Sequence, residues 1–333
     1  LRMILSGRRR SIRFGSGMNT PINGSAGRMK TVNHQKFLSN LSSEIRASLV
    51  ERTDRHGVAH LAVHWSLIIL FGLAIYLDLP GWQLLLVPQG ILIVFLFTLL
   101  HESIHQTPFK TSWLNAMTAR VSGFLIFLPP TWFKYFHLAH HRFTQIPGKD
   151  PELAFEKPNT NLDYIIHISG FPTWIGHFKT LFQNALNNCK ADFLPQKAEA
   201  RIVKESRLLL FVYVMILSGS IFWMSAELFW IWLLPVLVGQ PFLRFYLLAE
   251  HGLCPTVANM FENTRTTFTN SIVRFVAWNM PYHTEHHVYP MVPFHKLPEL
   301  HKIIQNELIN KEDSYTAFTG KYLAELKHNN QHG

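Results

Sequence analysis

The sequence is poor in cysteine and in charged residues. Its 333 residues include two cysteines, Cys189 and Cys254, and Asp, Glu, Lys and Arg together make up 16%. Two isolated cysteines exclude a disulfide framework and a C-x-x-C zinc or redox site. No G-x-x-x-x-G-K-[ST] loop occurs, and the lone G-x-G at Gly15–Gly17 follows no strand, so a nucleotide-binding P-loop or Rossmann site is not indicated. A typical soluble protein has about 25% charged residues, so the composition argues against a soluble fold.

Lysine and arginine are also absent from one long apolar block and nearly absent from a second. Eleven of the 31 lie in residues 1–57, none in 58–109, twelve in 110–207, one in 208–250 and seven in 251–333. In a chain with a net charge of +10, this alternation is typical of membrane proteins that keep basic loops in the cytoplasm. A nucleic-acid-binding surface does not predict it, so no nucleic-acid partner is expected.

Each apolar block is long enough for two helical membrane crossings of about 20 residues. The sequence therefore predicts an all-α integral membrane protein with two transmembrane hairpins. The turns at residues 80–81 and 227 contain no Lys or Arg, so both termini and residues 101–207 are expected on the cytoplasmic side. The four predicted spans are Val58–Leu79, Trp82–Leu100, Leu208–Ala226 and Leu228–Ala249.

Two further apolar segments, Trp113–Leu128 and Leu162–Phe182, are interrupted by polar residues. They are interpreted as helices that lie at the membrane interface and form a cytoplasmic cap. A fifth span near residues 113–128 is the alternative, but it would move the later histidines to the opposite side.

The chain is divided into three parts. Residues 1–57 are expected to form a basic, flexible tail, residues 58–305 the membrane domain and residues 306–333 a polar C-terminal tail. The first 43 residues have eight Lys or Arg and no Asp or Glu. An organellar transit peptide has a similar composition, and Met18 is an alternative start.

Eight of the 19 histidines form three compact groups, and a ninth, His251, directly follows the end of the fourth predicted span. Positions three or four apart share a face of a helix, so each group directs its imidazoles to one side. Imidazole binds Zn, Cu, Fe and Ni, and nine ligands exceed one tetrahedral zinc site but suit two metal ions. The nine candidate ligands are His101, His105, His137, His140, His141, His251, His283, His286 and His287.

The remaining polar residues of interest have weaker signals. A metal-bound imidazole commonly gives its other N–H to a carboxylate, carbonyl or water, and the candidates for this role are Glu102, Asp150, Glu250, Asn279 and Glu285. Each is equally consistent with a solvated surface residue. His60 and His64 are interpreted as packing residues. Arg244 either extends to lipid phosphates, the preferred interpretation, or holds a substrate carboxylate.

The pattern H-x3-H, H-x2-H-H, H-x2-H-H on two membrane hairpins resembles the membrane fatty acid desaturase/hydroxylase superfamily across residues 58–305. The segment Asn279–Pro293 is especially similar to the desaturase branch. The resemblance implies that the nine histidines bind two iron ions, with O2 as co-substrate. It also implies an external electron donor of ferredoxin or cytochrome b5 type and an acyl lipid or other long-chain apolar substrate. Such relatives have an asparagine four positions before the histidine that follows the fourth span. In this sequence Leu247 occupies the position four residues before His251.

Three alternatives remain. A lipid or carotenoid hydroxylase or ketolase of the same superfamily would use the same histidines. His101-Glu102-x-x-His105 also matches the H-E-x-x-H signature of zinc metalloproteases, but that function leaves seven of the nine histidines without a role. A metal carrier would distribute histidines across the bilayer, whereas these are predicted on one side.

Overall fold

The computed structural model describes residues 32–332, and this part of the chain is mainly helical. The α-helices are α1 (His34–Asn40), α2 (Ser43–Val50), α3 (Asp54–Tyr76), α4 (Leu86–Val94), α5 (Leu96–Ile104), α6 (Ser112–Leu125), α7 (Pro130–Phe143), α8 (Asn161–Ser169), α9 (Phe171–Ala185), α10 (Gln196–Phe222), α11 (Leu234–His251), α12 (Met260–Asn263), α13 (Ser271–Val276), α14 (His283–Val288), α15 (Leu297–Ile304) and α16 (Tyr315–His332). Short 3-10 segments cover Trp82–Leu85, Pro151–Ala154 and Phe294–Lys296, and a π-helical turn covers Phe229–Leu233. Two strands, β1 (Arg265–Thr267) and β2 (Asn310–Glu312), pair in parallel with Arg265 opposite Asn310.

Four helical stretches of the described chain are long and apolar enough to cross a membrane, which confirms the predicted number of spans. They are Ser43–Tyr76, Trp82–Ile104, Gln196–Phe222 and Phe229–His251. The third begins twelve residues before the predicted Leu208, because the polar segment 196–207 is rich in good helix formers such as Ala, Glu, Lys and Arg. The segment considered as a fifth span forms α6, which is not among these four.

The predicted helix Leu162–Phe182 is divided into α8 and α9 at Gly170. Gly170 has φ +76°, and a Cβ atom there would lie 2.3 Å from Cγ of Gln240. Glycine meets both requirements, because it adopts positive φ readily and has no side chain to collide. The break therefore depends on the contact between α8–α9 and α11, which the local sequence pattern does not reveal.

The second and fourth membrane stretches pack backbone to backbone through glycines. A Cβ atom on Gly90 would lie 2.0 Å from the carbonyl oxygen of Pro235, and one on Gly239 would lie 2.3 Å from the carbonyl carbon of Gly90. Small residues allow this close approach between helices in membranes, where burial against lipid provides little drive for association. The contact aligns α4 and α11, which lead to His101 and His251.

The C-terminal segment that the sequence assigned to a polar tail packs against the hydrophobic core. Tyr315, Phe318, Tyr322 and Leu326 of α16 are buried in that core. Their spacing of three and four residues places them on one helix face, a pattern that the polar composition conceals. At the other end, α1 and α2 form within the predicted N-terminal tail, and His34 and Leu49 are buried there. The expectation for residues 1–31 lies outside the described residues.

Candidate metal centre

The nine candidate histidines come from four separate parts of the chain and meet at the ends of helices. His101 lies in the last turn of α5, and His105 follows that helix directly. The second group occupies the last two turns of α7, His251 is the last residue of α11, and the third group lies on the short helix α14. Seven of the nine are buried; His105 and His141 are partly exposed.

Five of these histidines form a first group. Each of the five contributes one ring nitrogen, and these five nitrogens all lie within 4.8 Å of one another. The five are His101, His105, His137, His141 and His286. The Nε2 atoms of His137 and His105 are 2.9 Å apart, and those of His286 and His141 are 3.1 Å apart. The imidazoles thus direct their nitrogens toward a common point.

The other four histidines form a second group. Ring nitrogens of His140, His251 and His287 lie within 4.8 Å of one another. His251 Nε2 is 3.2 Å from His140 Nε2 and also 3.2 Å from His283 Nε2. The nine histidines therefore divide into sets of five and four.

The donor sets fit transition-metal ions. Bonds of about 2.0–2.1 Å from a metal to imidazole nitrogen place neighbouring ligands about 3 Å apart, which matches the Nε2 separations. Within the described structure, both ring nitrogens of His101 and Nε2 of His287 are buried without a hydrogen-bond partner, and such groups are costly unless something binds them. Metal ligation requires neutral imidazole, and burial lowers the pKa well below its ordinary value in His137, His141, His283, His286 and His287.

Five polar residues were predicted as partners for the second ring nitrogen of the histidines. Three of them contact a histidine at Nδ1, on the side of the ring away from the neighbouring histidines. Nδ1 of His140 lies 3.0 Å from Asp150 Oδ1. Nδ1 of His283 lies 3.4 Å from Glu250 Oε1, and Nδ1 of His286 lies 3.5 Å from Glu102 Oε1. The Asp150 contact is a hydrogen bond, which fixes the orientation of the His140 ring and leaves its Nε2 available as a ligand. The Nδ1 atoms of His283 and His286 lie near a carboxylate but make no hydrogen bond.

The other two candidates, Glu285 and Asn279, have different contacts. The fully buried Glu285 carboxylate accepts a hydrogen bond from Thr266 Oγ1 at 2.6 Å and contacts His301 Nδ1 at 2.5 Å. Asn279 Nδ2 donates to the carbonyl oxygen of Phe294 at 3.0 Å. Glu285 thus links α14 to the side chains of Thr266 and His301, Asn279 links the segment before α14 to the backbone at Phe294, and neither hydrogen-bonds to one of the nine rings.

Sequence reasoning missed three other partners of the rings. Glu152 Oε2 lies 3.0 Å from His140 Nδ1, beside Asp150. The carbonyl oxygen of Asn263 lies 3.0 Å from His251 Nδ1, and Thr144 Oγ1 lies 3.2 Å from His287 Nδ1. The acidic pair at positions 150 and 152, soon after the second histidine box, was an available signal. A backbone carbonyl and a hydroxyl leave no such signal in the sequence.

His60 and His64 lie outside both groups. His64 Nε2 is 2.9 Å from the carbonyl oxygen of Leu92, and Trp278 Nε1 donates to His64 Nδ1 at 3.2 Å. His60 Nε2 is 2.8 Å from the carbonyl oxygen of Phe275. Both nitrogens of His64 are thus occupied by the protein, as expected of a packing residue.

Fold and site together define a class: a helical protein with four stretches able to span a membrane and two buried histidine groups where helices end. The sequence profile of the family named Fatty acid desaturase matches residues 79–319. The chain therefore belongs to the fatty acid desaturase family.

Two curated relatives are similar over most of this chain. The Dihydrorhizobitoxine desaturase of Bradyrhizobium elkanii is 27% identical over 286 residues, which cover 79% of this chain and 79% of that protein. The Sphingolipid delta(4)-desaturase DES1-like of Arabidopsis thaliana is 26% identical over 227 residues, which cover 67% of this chain and 63% of that protein. The chain is thus an oxidoreductase of the desaturase type.

Proposed function

We propose that the protein is a membrane di-iron desaturase that uses O2 to introduce a double bond into a long acyl chain. The observation that carries the proposal is the division of nine histidines into groups of five and four nitrogen ligands. Two adjacent methylenes lose two hydrogens, and an external donor of ferredoxin or cytochrome b5 type supplies two electrons, with two protons from solvent. The two hydrogens, two electrons and two protons together reduce one O2 to two waters.

The iron ions, when bound, supply the reduction of O2 and the removal of hydrogen from an unactivated C–H bond, chemistry that side-chain acids and bases lack. The protein holds the ions through the nine histidines. Asp150 orients the His140 ring through a hydrogen bond to Nδ1, and Glu250 and Glu102 place negative charge beside Nδ1 of His283 and His286. Burial of the rings excludes water, which protects a reactive centre from side reactions.

The position of the site favours a substrate that lies in the bilayer. His101 and His251 lie at the ends of two membrane stretches, so an acyl chain within the membrane reaches them without leaving an apolar environment. The distribution of Lys and Arg supports the cytoplasmic side for the site and both chain ends.

Hydroxylation or ketolation of a lipid or carotenoid is the second candidate, because those reactions begin with the same hydrogen removal. Both similar proteins are named desaturases, which favours loss of a second hydrogen over transfer of oxygen. The outcome depends on how the carbon chain lies against the site.

A zinc protease that uses Glu102 as general base is disfavoured by the geometry of that residue. Its Oε1 faces Nδ1 of His286, while Nε2 of the same ring faces His141. Glu102 Oε2 accepts hydrogen bonds from Thr107 Oγ1 at 2.9 Å and Phe294 N at 3.2 Å. A general base must be within hydrogen-bond reach of the reacting water, and this carboxylate lies behind the ring instead.

The test is expression in a host with saturated acyl lipids, together with an electron donor, followed by mass spectrometry of the fatty acids. A product lighter by two hydrogen atoms, absent from a His286→Ala control, supports desaturation. A product heavier by one oxygen atom supports hydroxylation. Unchanged acyl lipids, with iron-loaded protein and a functional donor present, would overturn the proposal of an acyl substrate.

A further inference from the structure

Arg244 is a positive charge within the fourth membrane stretch. It lies on α11 seven residues before His251, which corresponds to about two turns or about 10 Å along the helix axis. Charged residues at such positions are costly in a membrane and generally mark a site for an ion or substrate. None of the metal-centre contacts described above uses Arg244.

The guanidinium group of Arg244 has no partner within the described residues that explains its position. Its Nε atom is buried and makes no hydrogen bond. Glu152 and Glu250 act on its charge from a distance, and no ion pair in the described structure includes it. Arg244 as a whole is partly exposed, so its outer guanidinium nitrogens are free to meet a ligand while its buried Nε lacks a partner.

Two other unpartnered hydrogen-bond donors belong to the same helix contact. Gln240 precedes Arg244 by one turn of α11, is 2% exposed and has a buried, unpartnered Nε2. Its side chain packs on Gly170 at the α8–α9 corner. Trp174, one turn after Gly170, is 6% exposed, and its Nε1 is also buried without a partner.

The histidines that surround Arg244 add no opposing charge. Burial, followed by the positive charge of Arg244, lowers the pKa of His167 and His177 to about 4. His177 is satisfied by the carbonyl oxygen of Ile126, 3.0 Å from its Nδ1. The neighbourhood of Arg244 on α8 and α9 is therefore rich in donors and contains a positive charge without an ion-pair partner.

We propose that Arg244, together with Gln240 and Trp174, binds the anionic head group of the substrate lipid, a carboxylate or a phosphate. Arginine presents N–H donors in a planar fork that matches both groups, and Gln240 and Trp174 supply neutral donors. This inference rests on the proposed function and makes it more specific: the substrate chain ends in an anion, unlike a neutral carotenoid. Arg244 and the two neutral donors select the head group, while the histidine groups act on the chain.

The test measures ligand binding by the purified full-length protein in phosphatidylcholine nanodiscs. Dodecanoate, dodecyl phosphate and uncharged dodecanol are titrated against the wild type and Arg244→Gln. The expected result is an affinity for the two anions that falls about tenfold or more in the variant, because a charge-assisted pair is lost, while the affinity for dodecanol changes less than about twofold. Comparison of the two anions identifies the preferred head group.

Two matched variants control for general charge and for folding. Lys179 is exposed on α9, so Lys179→Gln removes a nearby positive charge and is expected to leave all three affinities unchanged. Gln240→Leu removes one neutral donor. It is expected to reduce the affinity for the two anions by a smaller factor than Arg244→Gln does. If Arg244→Gln does not fold, Arg244→Lys keeps the charge, loses the fork and is expected to bind the anions more weakly than the wild type.

Two results would overturn the proposal. They are unchanged anion affinity in folded Arg244→Gln and equal losses of affinity for dodecanoate and dodecanol. Binding requires neither O2 nor an electron donor. A failure of the head-group proposal is therefore distinguishable from a failure of the proposed desaturation.

Discussion

The Nε2 atoms of His140 and His251 lie 3.2 Å apart although 111 residues separate the two histidines in the chain. One belongs to α7 and the other ends α11, so their approach depends on the packing of the whole helical body. Nδ1 of each ring faces an oxygen, of Asp150 or of the Asn263 carbonyl. In the neutral rings the proton therefore lies on Nδ1, and the two Nε2 lone pairs repel each other unless a cation lies between them. The separation is that of neighbouring ligands on one metal ion, and it forms the basis of the predictions that follow.

Loss of one histidine from either group should remove activity without unfolding the protein. We expect His286→Ala and His140→Ala each to reduce bound iron below two ions per chain and to abolish detectable desaturation. Iron content by mass spectrometry and lipid profiles measure the effect, and circular dichroism checks the helices. His56→Ala is the control, since His56 is exposed and outside both groups. Full activity in His140→Ala would contradict its assignment as a ligand.

The contact between Asp150 and His140 should contribute to metal affinity. Asp150→Asn keeps the size of the side chain but removes the charge that faces Nδ1 of His140. Loss of such an outer partner typically weakens metal binding about 10–100-fold, and we expect a change in this range in a competition titration with a chelator. Glu156→Gln, a change at an exposed position nearby, should have no effect. Equal affinity in Asp150→Asn would show that Glu152 alone can orient the ring.

Replacement of iron by zinc should separate the structural role of the metal from its redox role. Removal of iron with a chelator is expected to lower the melting temperature, because a ligand that binds the native state stabilises it. Fe2+ should restore both stability and desaturation. Zn2+ should restore stability alone, since zinc has no redox chemistry. Restoration of catalytic activity by Zn2+, with peptide cleavage, would support the protease alternative instead.

The close contact between α4 and α11 should be sensitive to a single methyl group. In Gly90→Ala, the new Cβ would collide with the carbonyl oxygen of Pro235. Overpacking of this kind costs about 1–3 kcal/mol, and we expect a lower melting temperature in detergent. Gly176→Ala is the matched control, because no atom lies within 4 Å of its Cβ position and alanine favours a helix by up to about 1 kcal/mol. A Gly90→Ala protein as stable as the wild type would exclude this tight packing.

The membrane spans could be predicted from the sequence because they depend on local properties. A run of about 20 apolar residues is sufficient to identify a span, and the four stretches that begin at residues 43, 82, 196 and 229 overlap the four predicted ones. The spacing within each histidine box is equally local. Those two patterns are sufficient to identify the membrane class and the histidine-rich centre from the order of the residues alone.

The assignment of each histidine to one of the two groups required the tertiary structure. Adjacent residues on a helix point about 100° apart, so His140 and His141 of one box face different groups. Helical spacing suggested a shared face for each box, and only the surrounding helices decide which nitrogen meets which partner. The carbonyl oxygen of Asn263 and the hydroxyl of Thr144 were unpredictable for the same reason, since neither atom type has a sequence signal.

The sequence by itself determined the four apolar stretches and the histidine boxes, because each is recorded in residue type and spacing. It offered the carboxylates at positions 102, 150 and 250 as candidates, and their contacts with the boxes came from the structure. The tertiary structure decided the division into five and four imidazoles, the break at Gly170 and the packing of the C-terminal helix. It also decided that Nε of Arg244 is buried without a hydrogen-bond partner. These features arise where segments distant in sequence come within hydrogen-bond distance, and that distance is set by the packing of the whole chain.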